Sequence, residues 1–329
     1  MSAFLSIDDP SRVAEARRMA VGLAQEEGLD ESSIANIALA TTEMATNLWK
    51  HAKNGEIHLA RLSRHGSPGL DILSVDRGPG IANIRECLKD GYSSAGTAGT
   101  GLGAVSRISR TFDVYSEFGK GTIVLSRIGR NEKDGMVVGF AGRPVNGEEI
   151  SGDSWTMREE GGASVFLMAD GLGHGIHAAQ ASQEAVSAFR TCSESKPALL
   201  LQRVHRALRG TRGAAVAIAS VDRNLRKIHY AGIGNISGVI LNSGKAHHMI
   251  SHNGTAGHEA VHFQEFVYSF PETATLIMHS DGLATSWNLD NYPGLQVRHP
   301  TVIAGVLYRD STRLRDDVCV VVARDALRS

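Results

Sequence analysis

Apolar positions follow two different rhythms along this chain. From Ile34 to Ala52, in "IANIALATTEMATNLWKHA", they recur with a helical period and meet no Gly or Pro before Gly55, which predicts a helix. The segments "HAAQASQEAVSAFRTC" (177–192) and "KPALLLQRVHRALRG" (196–210) predict two more. Short continuous apolar runs at 163–169, 276–279 and 318–323 read as strands covered on both faces. "LDILSVDRGPGI" is a strand running into Asp76 and a Gly-Pro-Gly turn, and "YSEFGKGTIVLSRI" is a Gly-Thr turn entering a strand. The polar stretch "GRNEKDG" (129–135) separates two such sets, so the expected organisation is two domains, 1–130 and 136–329.

The second set repeats one oddity. "MADGLGHG" and "MHSDGLA" each take an apolar strand straight into Asp-Gly, at Asp170-Gly171 and Asp281-Gly282. An unpaired carboxylate leaving a core strand costs several kcal/mol, so it calls for a partner such as a cation. Taken singly, each is an ordinary Asp-Gly turn. Asp153 in "SGDS" and Asp316-Asp317 ahead of the strand at 318–323 add further strand-end acids. Together they suit hard, oxygen-preferring cations such as Mg²⁺ or Mn²⁺. Zinc is disfavoured, because the cysteines lie far apart and no His pair has ligand-helix spacing.

The order Gly152-Asp153, Ala169 to Gly175, Ala231 to Asn235, His279 to Gly282, then Asp316-Asp317-Val318 resembles the SpoIIE-like branch of the metal-dependent serine/threonine phosphatases, the protein phosphatase 2C superfamily, and within it the RsbX type. The resemblance spans about residues 136–326 and implies two stacked antiparallel sheets flanked by helices, an αββα sandwich. It also implies a pair of Mn²⁺ or Mg²⁺ ions. Asp170 would bridge them, the Gly171 carbonyl, Asp281 and Asp316 would complete the set, and Asp153 would hold metal-bound water. Such a pair activates a water for in-line attack on phosphorus. Asp317 ranks below Asp316, and Cys319 stands where the family often has Thr. His174 is either a general acid for the leaving serine oxygen or a loop residue that shapes the site. His247, His248, His252, His258 and His262 read as surface-loop residues.

In the first set, Glu43 and Asn47 are one helical turn apart on one face, as a base and a Mg²⁺ ligand would be, or as a solvated polar stripe would be. "GTAGTGLGAVSRISRTF" is a glycine-rich loop opening onto a helix, whose free N–H groups favour phosphate. The four motifs in this order resemble the GHKL ATPase superfamily, and in it the RsbT- and RsbW-type serine kinases, over about residues 5–128. The implied fold is a Bergerat α/β sandwich, a mixed sheet with helices on one face, that binds ATP with Mg²⁺ between helices and lid. By that resemblance Glu43 polarises the attacking serine, Asn47 holds Mg²⁺ and Asp76 accepts the adenine amino group. Gly78 and Gly80 admit the adenine, Gly99, Thr100, Gly101, Leu102 and Gly103 cradle phosphates, and Thr122 lies beneath the adenine.

Composition narrows the partners. A 42% hydrophobic content suits two packed cores, while 5% aromatic residues and a net charge of −1 give no support for nucleic-acid binding. Three scattered cysteines point to a reducing compartment, and no signal peptide or long apolar run implies a membrane, so a cytoplasmic protein is expected. The leading expectation is a bifunctional regulator in a bacterial sigma-factor or stress pathway, phosphorylating and dephosphorylating STAS-domain proteins and engaging sigma-pathway regulators. The alternative is a phosphatase whose ATP module only binds a partner. A two-domain metabolic enzyme is the bland remainder.

Overall fold

The computed structural model describes residues 2–61, 68–88, 101–129, 135–258, 262–313 and 315–326. The elements up to residue 129 are β1 (Ser2–Ile7), α1 (Pro10–Glu26), α2 (Glu31–His51), β2 (Gly55–Arg61), β3 (Gly69–Val75), α3 (Ile84–Cys87), α4 (Gly101–Ile108), β4 (Thr111–Glu117) and β5 (Gly121–Gly129). They are followed by β6 (Met136–Arg143), β7 (Asp153–Glu160), β8 (Ala163–Gly171), α5 (Ile176–Arg190), α6 (Pro197–Ala207), β9 (Ala214–Asp222), β10 (Lys227–Ile233), β11 (Ser237–Asn242), β12 (Lys245–Met249), β13 (Phe266–Ser269), β14 (Thr275–His279), α7 (Pro300–Ser311) and β15 (Val318–Asp325). No described helix is long and apolar enough to cross a membrane. The expected linker falls largely outside the described residues.

The chain divides into two compact units, Met1–Glu132 with Pro293–Arg309, and Lys133–Tyr292 with Asp310–Ser329. In the first, the sheet of order β1-β2-β3-β5-β4 is antiparallel at every ladder, and not mixed as expected, because each strand runs opposite to the neighbour it pairs with; it carries α1, α2 and α4 on one face. The long helix α2 starts where Asp30 accepts a hydrogen bond from the Ser33 N–H at 2.9 Å, and it ends with Lys50 and His51 against the negative end of its dipole. Its stripe of Ile37, Ala40, Met44, Ala45 and Leu48 packs on Ile57, Leu59, Leu70, Ile72, Val124 and Ile128 of the sheet.

Strand residues alternate between faces, yet β2 and β3 and all but the last residues of β5 are buried almost throughout, so the second face must be covered too. That face carries charge in mid-strand, with Asp71 directly opposite Arg127 in the ladder. The Arg127 guanidinium donates to both oxygens of Asp71, at 2.5 and 2.7 Å, with both side chains almost wholly buried. The cover is the segment Pro293–Arg309, which the sequence reading assigned to the second domain. Thr301 donates to Asp71 at 3.1 Å, and Tyr308 donates to Glu56 at 2.8 Å while its ring meets His58 edge-on. Asp113 accepts from the His299 N–H at 2.7 Å and from Arg298 at 3.2 Å. Gly305 lets the helix come down on the sheet, since a Cβ there would lie 3.0 Å from Ile123 and 3.3 Å from Leu73.

The second unit has two five-stranded antiparallel sheets, β13-β10-β9-β8-β7 and β12-β11-β14-β15-β6. Helices α5 and α6 close the first, burying Ala181, Ala185, Phe189, Leu201 and Val204 on Val165, Leu167, Val216 and Ile218. The three apolar runs are strands as expected, β8, β14 and β15. One expectation needs correction. His247 and His248 lie in β12, an edge strand whose residues are mostly exposed, and not in a loop. The alternation of polar side chains on an edge strand resembles a loop in composition.

The buried Asp71–Arg127 pair gives a direct test. Arg127→Ala leaves a carboxylate uncompensated, and the expected loss is about 3–5 kcal/mol, read as a fall in the urea midpoint. The double variant Asp71→Leu/Arg127→Met should recover much of it.

Candidate active sites

Two groups of polar residues stand out, one in each unit. In the first unit, Glu43 and Asn47 occupy partly buried positions on α2. The start of α4 is set against them. A Cβ on Gly101 would lie 3.6 Å from Asn47 Nδ2 and 3.8 Å from Glu43 Oε2. The helix therefore presents its N-terminus, with its free N–H groups, beside a carboxylate and an amide. Gly103 packs close, its hypothetical Cβ 2.9 Å from the Leu88 carbonyl, while Leu102 is half-buried against the core. Gly99 and Thr100 lie outside the described residues.

Asp76 directly follows β3 and is buried. Its Oδ1 accepts from the Gly78 N–H at 2.6 Å, and its own N–H donates to the Thr122 carbonyl at 3.0 Å. Burial pushes its carboxyl above the ordinary range, opposed by hydrogen bonds from the Gly78 and Thr122 backbones. Two glycines make this loop feasible. Gly80 has φ +77 with a would-be Cβ 2.5 Å from the Glu117 carbonyl, and Gly121 has φ +100 with one 2.0 Å from the Asp76 carbonyl. Gly78 sits against the backbone of His51 and Ala52, one turn past Asn47 at the end of α2. Thr122 bonds Ser116 at 2.9 Å, and Ser116 accepts from the Ile81 N–H at 2.7 Å, tying the β4–β5 hairpin to the same loop. The structure thus gathers Glu43, Asn47 and Gly101 in one group, and Asp76, Gly78, Gly80 and Thr122 in another.

In the second unit the acids come from both sheets. Asp153 opens β7 and is the cross-strand partner of Asp170 near the end of β8. Asp281 follows β14, and Asp316 and Asp317 precede β15. Burial, reinforced by Asp281, Asp316 and Asp317, pushes the Asp170 carboxyl up to about 7. Asp153 is raised well above its ordinary range by burial and by Asp170, and Asp281 is raised by burial and by Asp316. Ser280 Oγ donates to Asp153 Oδ2 at 2.6 Å, whereas Oδ1 is buried without a hydrogen-bond partner. Asn235 donates to Asp281 at 2.6 Å. Gly171 permits its tight turn, since a Cβ would lie 2.0 Å from the Ala178 carbonyl.

These donors fit hard divalent cations. All are oxygens, burial and mutual repulsion raise Asp153, Asp170 and Asp281 with Arg313 offsetting only part of this at Asp281, and Asp153 Oδ1 is an orphan acceptor. Among the described residues no three His, Cys, Asp or Glu side chains close into a finished cage.

Asp317 differs in kind from its neighbour. Its two oxygens accept from the Val145 and Gly152 N–H groups, both at 2.8 Å, so it organises the segment leading into Asp153. His174 is exposed, and its Nδ1 lies 2.8 Å from Glu148 Oε1. Sequence reasoning missed Ser280, Asn235 and Glu148 as partners. The first two stood inside quoted motifs, but nothing in their spacing showed which side chain they would meet.

Two antiparallel sheets with carboxylates gathered at strand ends define a protein phosphatase of the metal-dependent serine/threonine class, here joined to a GHKL-type ATPase unit. The chain belongs to the family described as Stage II sporulation protein E (SpoIIE), whose model matches residues 160–325, and residues 8–127 match the histidine kinase-like ATPase domain. Serine/threonine-protein kinase RsbT of Bacillus subtilis is 36% identical over 110 residues, covering 33% of this chain and 83% of that protein. Phosphoserine phosphatase RsbX of the same organism is 23% identical over 138 residues, covering 42% and 69%. The crystal structure of RsbX in complex with magnesium shares the fold, with a TM-score of 0.53 and 19% identity over 66% of this chain and 100% of that chain.

The Gly171 turn yields a second test. Gly171→Ala forces the end of β8 and the start of α5 apart. A loss of about 2 kcal/mol would lower the thermal midpoint by roughly 4–8 °C, and Mn²⁺ binding measured by calorimetry should weaken with it.

Proposed function

We propose that this protein is a bifunctional partner-switching regulator. Its first unit phosphorylates a serine or threonine of a STAS-domain protein with Mg-ATP. Its second unit removes phosphate from that protein or a sister protein, using two Mn²⁺ or Mg²⁺ ions. The observation that carries this reading is that one chain holds both polar sets, Glu43 with Asn47 beside the α4 N-terminus, and the strand-end acids with an orphan Asp153 oxygen.

In the second unit Asp170, the Gly171 carbonyl, Asp281 and Asp316 would hold the cations, and Asp153 would orient water through Oδ1. When bound, such a pair acidifies a water and neutralises the charge on the phosphoryl oxygens. Asn235 steadies Asp281, and Asp317 holds the backbone beside Asp153. Glu148 engages one nitrogen of His174, which leaves the other to give a proton to a departing serine oxygen.

In the first unit Glu43 accepts the proton of the attacking hydroxyl. Asn47 would hold the nucleotide's Mg²⁺, and Asp76 would receive the adenine amino group. Gly78 and Gly80 would let the base approach, Thr122 would lie beneath it, and the Gly99–Gly103 segment would receive the phosphates. Partners by analogy are STAS-domain proteins of stress or sigma-factor signalling, and a cytoplasmic setting suits the three free cysteines.

Asp170→Asn should lower hydrolysis of a phosphoserine STAS protein about a hundredfold or more, and EDTA should abolish it in the parent protein. Retained turnover in the variant would overturn the metal assignment. The two activities should also part cleanly. Glu43→Ala is expected to stop labelling of a STAS protein by radioactive ATP while dephosphorylation persists, and Asp281→Asn to do the reverse. If Asp281→Asn protein binds ATP yet labels no STAS protein, the first unit is a partner-binding module and the kinase assignment fails.

A further inference from the structure

Ser280 sits between Asp281 and the end of β14, and its hydrogen bonds are fully determined. Its N–H donates to the Cys319 carbonyl at 3.1 Å, and its Oγ accepts from the Cys319 N–H at 3.0 Å. A serine hydroxyl has one proton to give. With its oxygen engaged by Cys319, that proton is directed to Asp153 Oδ2 at 2.6 Å. The side chain is almost wholly buried, so water offers no alternative partner.

The two residues belong to different sheets. Asp153 opens β7, at the edge of one, while Ser280 and Cys319 lie at adjoining strands β14 and β15 of the other. Asp153 and Asp170 therefore come from one sheet, and Asp281 and Asp316 from its partner. The Ser280 hydroxyl is a bond between these two halves of the acid set. It also breaks the symmetry of the Asp153 carboxylate. Oδ2 takes the hydroxyl proton, and Oδ1 is left buried without a partner.

The backbone of Ser280 is fixed from behind. His279 Nδ1 lies 2.8 Å from the Ser280 carbonyl, and the Trp287 indole N–H reaches His279 Nε2 at 3.3 Å. A carbonyl can only accept and an indole N–H can only donate, so the imidazole carries its proton on Nδ1 and is neutral. Indole, imidazole and carbonyl form a chain that ends at the serine.

We propose that Ser280 is a positioning residue for the metal centre. By holding Asp153 Oδ2, it sets the spacing between the acids of the two sheets and leaves Oδ1 as the oxygen that would meet the cations and their water. This rests on the phosphatase reading given above.

Mn²⁺ titration of the full chain by calorimetry, with EPR of the bound ions, tests it. The parent protein should bind two Mn²⁺ whose spectra show exchange coupling. Ser280→Ala is expected to weaken binding about ten- to a hundredfold and to diminish the coupled signal, and Ser280→Thr, which keeps the hydroxyl, should restore both. Turnover should fall mainly in kcat, with KM for the phosphoprotein little changed. Should Ser280→Ala not fold, Ser280→Cys, a weaker donor of similar size, carries the same comparison. Parent-like affinity and coupling in the alanine or cysteine variant would overturn the positioning role while the phosphatase reading stands. Failure of the parent protein to bind Mn²⁺ at all would overturn both.

Discussion

Like charges crowded at the ends of buried strands govern the second unit. Asp153, Asp170, Asp281 and Asp316 approach from two sheets, and burial, reinforced by repulsion from neighbouring acids, raises the carboxyls of the first three. A fold tolerates such a concentration only if backbone and neutral groups hold each acid in place until positive charge arrives. Asp317 performs part of that work by accepting two backbone N–H groups, Asn235 by donating to Asp281, and Ser280 by bridging to Asp153. Glycines at 171 and 282 allow the backbone to come closer than any side chain would permit. The steric demands of this corner are thus set by its electrostatics.

The first unit solves a different problem, that of a sheet buried on both faces. Helices α1, α2 and α4 cover one side with ordinary apolar packing. The other side carries Glu56, His58, Asp71 and Arg127 in mid-strand, and each polar group there requires a partner of its own. The segment Pro293–Arg309 supplies Thr301 and Tyr308 at the right spacing and a glycine at the point of closest approach.

Much of this was legible in the chain itself. Strand-end acids before glycine, and a helix with Glu43 and Asn47 a turn apart, are local patterns, and the structure places them as local patterns predict. The strands at 163–169, 276–279 and 318–323 were visible because unbroken apolar runs leave few alternatives. What lay beyond reach was non-local. Nothing near Thr301 or Tyr308 announces that their partners are Asp71 and Glu56, more than two hundred positions earlier. Asp71 and Arg127 stand as charges within apolar strands, and only the strand register sets them opposite each other. His247 and His248 went astray because an exposed edge strand and a polar loop share a composition.

The return of Pro293–Arg309 to the first unit has a consequence for how this chain can be divided. A chain made by simple joining of two modules can be parted again by cutting one peptide bond. Here the path enters the first unit, leaves it, comes back through seventeen residues and leaves again. No single scission yields two self-sufficient halves, because a break near residue 130 would strip the sheet of its second cover and strand that cover on the other fragment. The stretch that encodes the first unit is therefore interrupted, with seventeen of its residues lying inside the span of the second.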